Sequence, residues 1–200
     1  MMMKASANDA SWVNIPKQLY HYCIDNENDV GYGCVYRVLQ TMESQWLGQP
    51  ASSFAKIRTV LGMGNHNPLL PKKSWLEPID IRTFIHKESV PLQTRLMLYF
   101  PNVQDVVSRK TRARMLRTKL TDADVLYINK ESFLKDLKAI FRKKKYAIAI
   151  DNGVMSYAIV GFKPDRLLLV DPHTLETGRV VREMPLTVFF NDFWMVLQVY

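Results

Sequence analysis

Asn28-Asp29-Val30-Gly31-Tyr32-Gly33-Cys34-Val35-Tyr36-Arg37-Val38-Leu39-Gln40-Thr41 is the stretch on which the reading of the fold turns. Gly31-Tyr32-Gly33 predicts a tight turn. Beyond it, Val35, Val38, Leu39, Met42 and Trp46 fall at helical spacing. Such an apolar stripe must dock on a core. Gly48-Gln49-Pro50 is the expected stop. Cys34 therefore opens a helix, directly after a glycine. A helix N-terminus stabilises negative charge and lowers a thiol's pKa, so more thiolate is expected near neutral pH. The flanking glycines let a substrate backbone come close. The plainer reading is a small buried cysteine starting a core helix, because free cysteine is commonly buried.

Working outward, a second helix is expected over 52–61, stopped by Gly62 and Gly64. Asn65-His66-Asn67-Pro68 and Pro71 read as loop, and 75–86 as a short helix. Residues 94–100 alternate as a strand does. Residues 103–120 and 130–144 read as helices, separated by a short apolar piece at 125–128. The last third changes character. Four apolar or β-branched runs, at 146–150, 155–162, 166–170 and 194–199, are bounded by turn residues. Asp151-Asn152-Gly153 and Lys163-Pro164-Asp165 read as turns between them. Helices first and a largely antiparallel sheet afterwards imply an α+β domain. Residues 1–17 read as a polar lead-in and 18–200 as one domain.

Two hundred residues, 48% of them apolar and 23% charged, suit one globular core. No stretch reaches the roughly 18 apolar residues that a membrane span needs. Residues 1–10 carry no apolar segment of the kind a secretory signal requires. The two cysteines, Cys23 and Cys34, cannot build a disulfide scaffold, which points to a reducing compartment such as cytosol or nucleus. The net charge of +8 is concentrated: residues 102–145 hold thirteen Lys and Arg against five acids, the whole of the excess. One cluster runs from Arg109 to Arg114 with Arg117 and Lys119, and the other is Arg142-Lys143-Lys144-Lys145. The charge pattern reads as a solvated helix face, with an acidic partner protein and nucleic acid as alternatives. No nucleic-acid motif accompanies it, and no nucleic-acid partner is expected.

The second chemical signal is Asp171-Pro172-His173, at the end of the expected strand over 166–170. Residues two apart on a strand share a face, so carboxylate and imidazole can hydrogen-bond. Such a bond fixes the imidazole tautomer and stabilises the imidazolium. Pro172 cannot donate to a ladder, which places the segment at a strand end or edge. Taken alone it is an ordinary polar turn; it gains meaning from a helix-opening cysteine elsewhere. His66 and His86 lie in a loop and at a helix end, and His21 is near Cys34 in sequence. The four histidines and two cysteines show no metal-ligand spacing, and no phosphate-binding glycine motif occurs, so neither a metal nor another cofactor is expected.

Together the block from Asn28 to Thr41 and the block Leu169-Val170-Asp171-Pro172-His173 resemble the two signatures of the cysteine proteases specific for ubiquitin-fold modifier 1, in their short form. That family carries D-x-G-W-G-C-x-Y-R-x-L-Q and a later D-P-H on a papain-like fold. Tyr22, in Tyr20-His21-Tyr22, resembles the family's oxyanion tyrosine, and Trp75 a family tryptophan. The resemblance runs from residue 20 to 174, and its first block is the specific one. It implies a thiol protease with Cys34 attacking the carbonyl after the modifier's C-terminal glycine. His173 would move the proton, Asp171 orient His173, and Tyr22 bind the oxyanion with the Cys34 N–H.

The resemblance implies no cofactor and, as partners, the modifier and its conjugates. It also implies a cytoplasmic location, with an adaptor protein and recruitment to the endoplasmic reticulum surface left open. Tyr32 stands where the family has Trp, Thr174 where Tyr commonly follows the D-P-H block, and Tyr157 near an expected His. Thr174 suits the related autophagy proteases, whereas Tyr36-Arg37, Leu39-Gln40 and Tyr22 suit the modifier-specific ones. A non-catalytic module that binds the modifier is the alternative of a different kind. Precursor maturation and removal from conjugates are not separated by the sequence.

Overall fold

A computed structural model of the chain describes residues 12–46, 50–65, 67, 69, 71–144 and 146–200. The elements in chain order are β1 (Trp12–Val13), α1 (Cys34–Trp46), α2 (Phe54–Leu61), α3 (Pro78–Lys87), β2 (Thr94–Tyr99), α4 (Val103–Val107), α5 (Arg109–Arg114), β3 (Val125–Tyr127), α6 (Lys130–Lys144), β4 (Ile148–Asp151), β5 (Ser156–Phe162), β6 (Arg166–Val170), β7 (Val181–Pro185), α7 (Leu186–Phe189) and β8 (Trp194–Val199). Residues 1–11 of the expected lead-in, the Gly48-Gln49 stop, His66, Pro68 and Lys145 lie outside the described residues.

The strands form one sheet in the order β3-β2-β8-β4-β5-β6-β7, with β1 on β5. Every neighbouring pair is antiparallel except β2 and β3. Alternation along the strands divides the core between the two faces. Ala149, Ala158, Val160 and Leu197 pack with Tyr36, Leu39 and Met42 of α1 and with Phe54, Ile57, Ile81 and Phe84 of α2 and α3. Ile148, Ile150, Ile159, Leu169 and Val196 pack instead with Phe133, Leu137 and Phe141 of α6 and Phe189 of α7. Two alanines on the α1 face let that helix lie close to the sheet. Each fully buried large side chain contributes about 1.5–3 kcal/mol.

The stop expected for α2 acts as the sequence implies. Ser53 caps α2 by accepting from the Lys56 N–H at 3.2 Å, and Gly62 closes it in the left-handed region at φ +72°.

Three expectations change. The helix expected over 75–86 begins only at Pro78, because proline suits the first helical position and the Asp80 carboxylate accepts from the Glu77 N–H at 2.8 Å. Trp75 and Leu76 are thereby left outside the helix. The helix expected over 103–120 is two short ones, broken at Ser108 with ψ 129° and ended at Met115. Beyond Arg114 the chain is held by another partner. The Glu77 carboxylate accepts from the N–H groups of Leu116, Arg117 and Thr118 at 2.6, 2.6 and 2.7 Å. Those donors, turned to a buried side chain, are lost to a helix ladder. Finally β7 joins the sheet edge although its sequence shows no apolar run.

Among the described residues no helix is long and apolar enough to cross a membrane.

Candidate active site

The turn before α1 is built around one carboxylate. Asp29 accepts from Arg37 Nε at 2.9 Å and Nη2 at 3.1 Å, and from the Cys23 N–H at 2.8 Å. Its carbonyl accepts from Tyr32 and Gly33 N–H at 3.2 and 2.8 Å. Arg37 is wholly buried, and its outer nitrogens also reach Asp25 at 2.8 and 2.7 Å. Gly31 takes φ +87°, and a Cβ on Gly33 would sit 2.1 Å from the Asp29 carboxylate. The spacing Asp-x-Gly-x-Gly-Cys-x-x-Arg is therefore a turn wound on Asp29 that delivers Cys34 to the start of α1. The same carboxylate fixes residue 23, which leaves Tyr22 beside the cysteine.

The opposite wall comes from the end of β6. Asp171 N–H bonds Val180 O at 2.7 Å, and Pro172 O accepts from Tyr22 N–H at 2.9 Å, so the Tyr22 segment and the Asp171-Pro172-His173 turn are tied together. His173 Nδ1 lies 2.6 Å from Asp171 Oδ1, which also accepts the His173 backbone N–H at 3.0 Å. The other oxygen, Oδ2, pairs with Arg182 Nη1 at 3.0 Å. Burial works to raise the Asp171 carboxyl. The hydrogen bonds from His173 and the neighbouring His173 and Arg182 outweigh it and hold the group below the usual carboxylate value. An ionised carboxylate only accepts, so in the neutral imidazole Nδ1 carries the proton and Nε2 the lone pair. Nε2 is buried and has no hydrogen-bond partner among the described residues. The ring is held edge-on between Tyr22 and Tyr157, each centroid 5.5 Å away.

Cys34, His173 and Tyr22 line a single cleft of about 320 Å³, with Trp75, Leu76, Leu116 and Val154 among its apolar walls. All four residues singled out in the sequence are thus gathered, three on the cleft and Asp171 behind His173. The Tyr22 hydroxyl interacts with the Cys34 thiol, and burial first, then that thiol, push its pKa up, so it stays a protonated donor. The expectation of a lowered thiol pKa is corrected. Burial first, and the Asp151 charge second, push Cys34 up to about 11, while hydrogen bonds from Ser156, the Val35 N–H and Tyr22 only offset this. The helix N-terminus is present, but desolvation is larger.

Several groups in and behind the cleft carried no sequence signal of their own. Ser156 Oγ lies 3.3 Å from Cys34 Sγ and is bonded to Asp151. The antiparallel register pairs Asp151 with Ser156, and the Asp151-Asn152-Gly153 turn alone could have indicated it. Arg114 and Arg117, counted above in a solvated basic face, brace the cleft instead. Arg114 donates to Asn152 O at 2.5 Å and pairs with Asp192 at 2.8 Å. Arg117 binds Asp80 at 3.2 Å and the Trp75 carbonyl. Arg109, Lys110 and Arg112 remain exposed.

Other expectations settle simply. Tyr32 lines the cleft and packs edge-on against Tyr36 and Phe54. Thr174 serves the next turn, accepting from Glu176 N–H at 3.0 Å. His21 is buried with Nδ1 2.9 Å from the Tyr22 carbonyl, and His86 sits at the end of α3. Cys23 and Cys34 are both free thiols. Among the described residues no three His, Cys, Asp or Glu side chains group as metal donors would.

Among solved structures, the fold is similar to that of UfSP from C. elegans, with a TM-score of 0.64 and 19% sequence identity. The alignment covers 94% of this chain and 33% of that one, so this chain spans about a third of the length of its neighbour. No family model matches the sequence, and no curated protein matches it. The likeness is one of fold. It bears out the papain-like α+β architecture, with N-terminal helices on a mostly antiparallel sheet.

Proposed function

We propose that this protein is a cytoplasmic thiol protease that cleaves after the C-terminal glycine of ubiquitin-fold modifier 1, maturing its precursor, releasing it from conjugates, or both. One observation carries the reading: the orphaned His173 Nε2 lies in the same cleft as the Cys34 thiol, with Asp171 on the far nitrogen. The fold shared with UfSP and the two sequence blocks that resemble the modifier-specific family support it.

In this mechanism the resting sulfur is a thiol, since burial pushes it up to about 11. His173 Nε2 therefore takes the proton as Cys34 attacks the scissile carbonyl, and no ion pair need form beforehand. The imidazolium is stabilised by Asp171 and then protonates the departing amine, leaving a thioester that water hydrolyses. The Tyr22 hydroxyl and the Cys34 N–H serve the developing oxyanion, where loss of one donor commonly costs roughly 3 kcal/mol. Trp75, Leu76, Leu116 and Val154 would pass an extended, small-residue tail into the cleft.

The test is a panel of ubiquitin-like modifiers, each bearing a C-terminal electrophile that traps a cysteine. A covalent adduct with ubiquitin-fold modifier 1 alone, absent in Cys34→Ala, is the expected result. An adduct with an autophagy modifier instead would replace the substrate and keep the chemistry. No adduct with any member would favour a module that binds without cutting.

A further inference from the structure

The mechanism above uses one side of Cys34. On the other side stand a carboxylate and a hydroxyl that it leaves unassigned. Asp151 and Ser156 face each other across the β4–β5 hairpin, only 5% and 1% exposed. Ser156 Oγ is bonded to Asp151 Oδ2 and reaches to 3.3 Å from Cys34 Sγ. Oδ1 of Asp151 accepts the Gly153 N–H at 2.5 Å. Among the described residues no Lys or Arg forms an ion pair with this carboxylate.

A serine hydroxyl has one proton to donate, so Ser156 cannot serve Asp151 and Cys34 as donor at once. We propose that Asp151 and Ser156 are positioning residues that clamp the nucleophile in its thiol form and release it when Asp151 takes up a proton. With Asp151 ionised, the serine proton goes to Oδ2, and Oγ can only accept, which suits S–H and not S⁻. With Asp151 protonated on Oδ2, the carboxyl O–H donates to Oγ, and the serine proton turns to the sulfur and stabilises thiolate. This rests on Cys34 being the nucleophile.

The Asp151 charge acts in the same direction as this clamp. Burial pushes Asp151 up to about 6, and the Asp151 charge is among the causes that raise Cys34. The other charged groups around Asp151 are Glu77 before α3, which raises it, and His173 after β6, which lowers it. Arg114, at the end of α5, is directed to the Asn152 carbonyl and to Asp192 before β8. Tyr22 is the remaining titratable group on the thiol.

Two titrations coupled in this way give a distinctive profile. In a Cys23→Ser parent, Cys34 is the one remaining thiol. Its rate of alkylation by iodoacetamide, read by intact mass between pH 5 and 10, should climb to about pH 6, level, and climb again. The deciding variants keep His173 in place. Asp151→Asn should lose the level stretch and react at least tenfold faster than the parent at pH 8. Ser156→Ala should narrow the level stretch, because the link to the sulfur is gone and only the Asp151 charge still acts on it.

A His173→Ala parent should retain the level stretch. A level stretch kept at full width in Ser156→Ala would overturn the proposal. So would a parent profile that climbs tenfold per pH unit throughout. If one variant does not fold, the other and the His173→Ala parent still decide. Iodoacetamide needs no modifier, so failure here and failure of the modifier panel are read separately.

Discussion

Asp171 and Asp151 flank the same cysteine, and their surroundings pull them in opposite directions. Asp171 ends on two nitrogen-bearing partners, His173 Nδ1 at 2.6 Å and Arg182 Nη1 at 3.0 Å, and is held below the usual carboxylate value despite its burial. Asp151 is met by a hydroxyl and one backbone N–H, and burial pushes it up to about 6. Paired carboxyl groups with diverging environments divide their duties, one remaining a fixed charge and the other exchanging a proton near neutrality. In this cleft the fixed charge stands behind His173, and the exchanging one stands beside Cys34.

The harshest break of that comparison is His173→Ala, which cuts the Asp171 side from the sulfur and leaves the Asp151 side whole. Turnover of a modifier precursor should fall by roughly four orders of magnitude, because groups that act as a unit fail together. The adduct with an electrophilic modifier should form slowly but still form. If turnover survives within tenfold, the Asp151–Ser156 side is able to act as base, and the division of duties drawn above is wrong.

How far the sequence carries this comparison differs between its two halves. The Asp171 half was legible, because Asp and His two apart on a strand share a face and Pro172 marks the strand end. The turn into α1 was legible for a similar reason: its partners, Asp29, Gly33, Cys34 and Arg37, lie within nine residues of one another. The Asp151 half was not. Its meaning depends on a hairpin register that places Asp151 against Ser156, and on α1 lying over that end of the hairpin. Arg182 was missed because β7 is largely exposed and shows no apolar run, so neither the strand nor its reach to Asp171 could be read. The broken helix beyond Val103 was hidden because its backbone donors go to Glu77, some forty residues earlier. The thiol was misjudged because helix position is local while desolvation depends on the whole cleft.

Stability gives a gentler way to sharpen the contrast, since the two aspartates should act with opposite sign. Asp151 has a folded value of about 6 against an ordinary 3.8, so its favourable contribution is present at low pH and lost as pH rises through 6. The difference amounts to about 3 kcal/mol. Asp151→Asn removes that loss, and the amide can still accept from Gly153 and donate to Ser156. The variant should therefore be more stable than the parent at pH 8, by up to about 3 kcal/mol, and indistinguishable near pH 4. Asp171 is held low, so its contribution is present at pH 8 and lost as pH falls. Asp171→Asn should be the less stable protein at pH 8. Urea midpoints at the two pH values read both effects, and two shifts of the same sign at pH 8 would contradict the contrast.

The smallest expected effect concerns the cation that adds to the His173 hydrogen bonds in holding Asp171 low. Arg182 reaches Asp171 Oδ2 at 3.0 Å and donates to the Tyr157 hydroxyl at 2.7 Å, yet its side chain is 43% exposed. A partly exposed ion pair is screened by solvent and salt, which limits its worth to about 1 kcal/mol or less. Arg182→Ala should accordingly lower kcat by about fivefold at low ionic strength, with KM unchanged. The loss should shrink as salt is added. Arg182→Lys should recover part of it, because a point charge can still face Oδ2 although it cannot serve Oδ2 and Tyr157 in the same fork. A change in KM without a change in kcat would mean that Arg182 meets the substrate, and that Asp171 owes its low value to His173 alone.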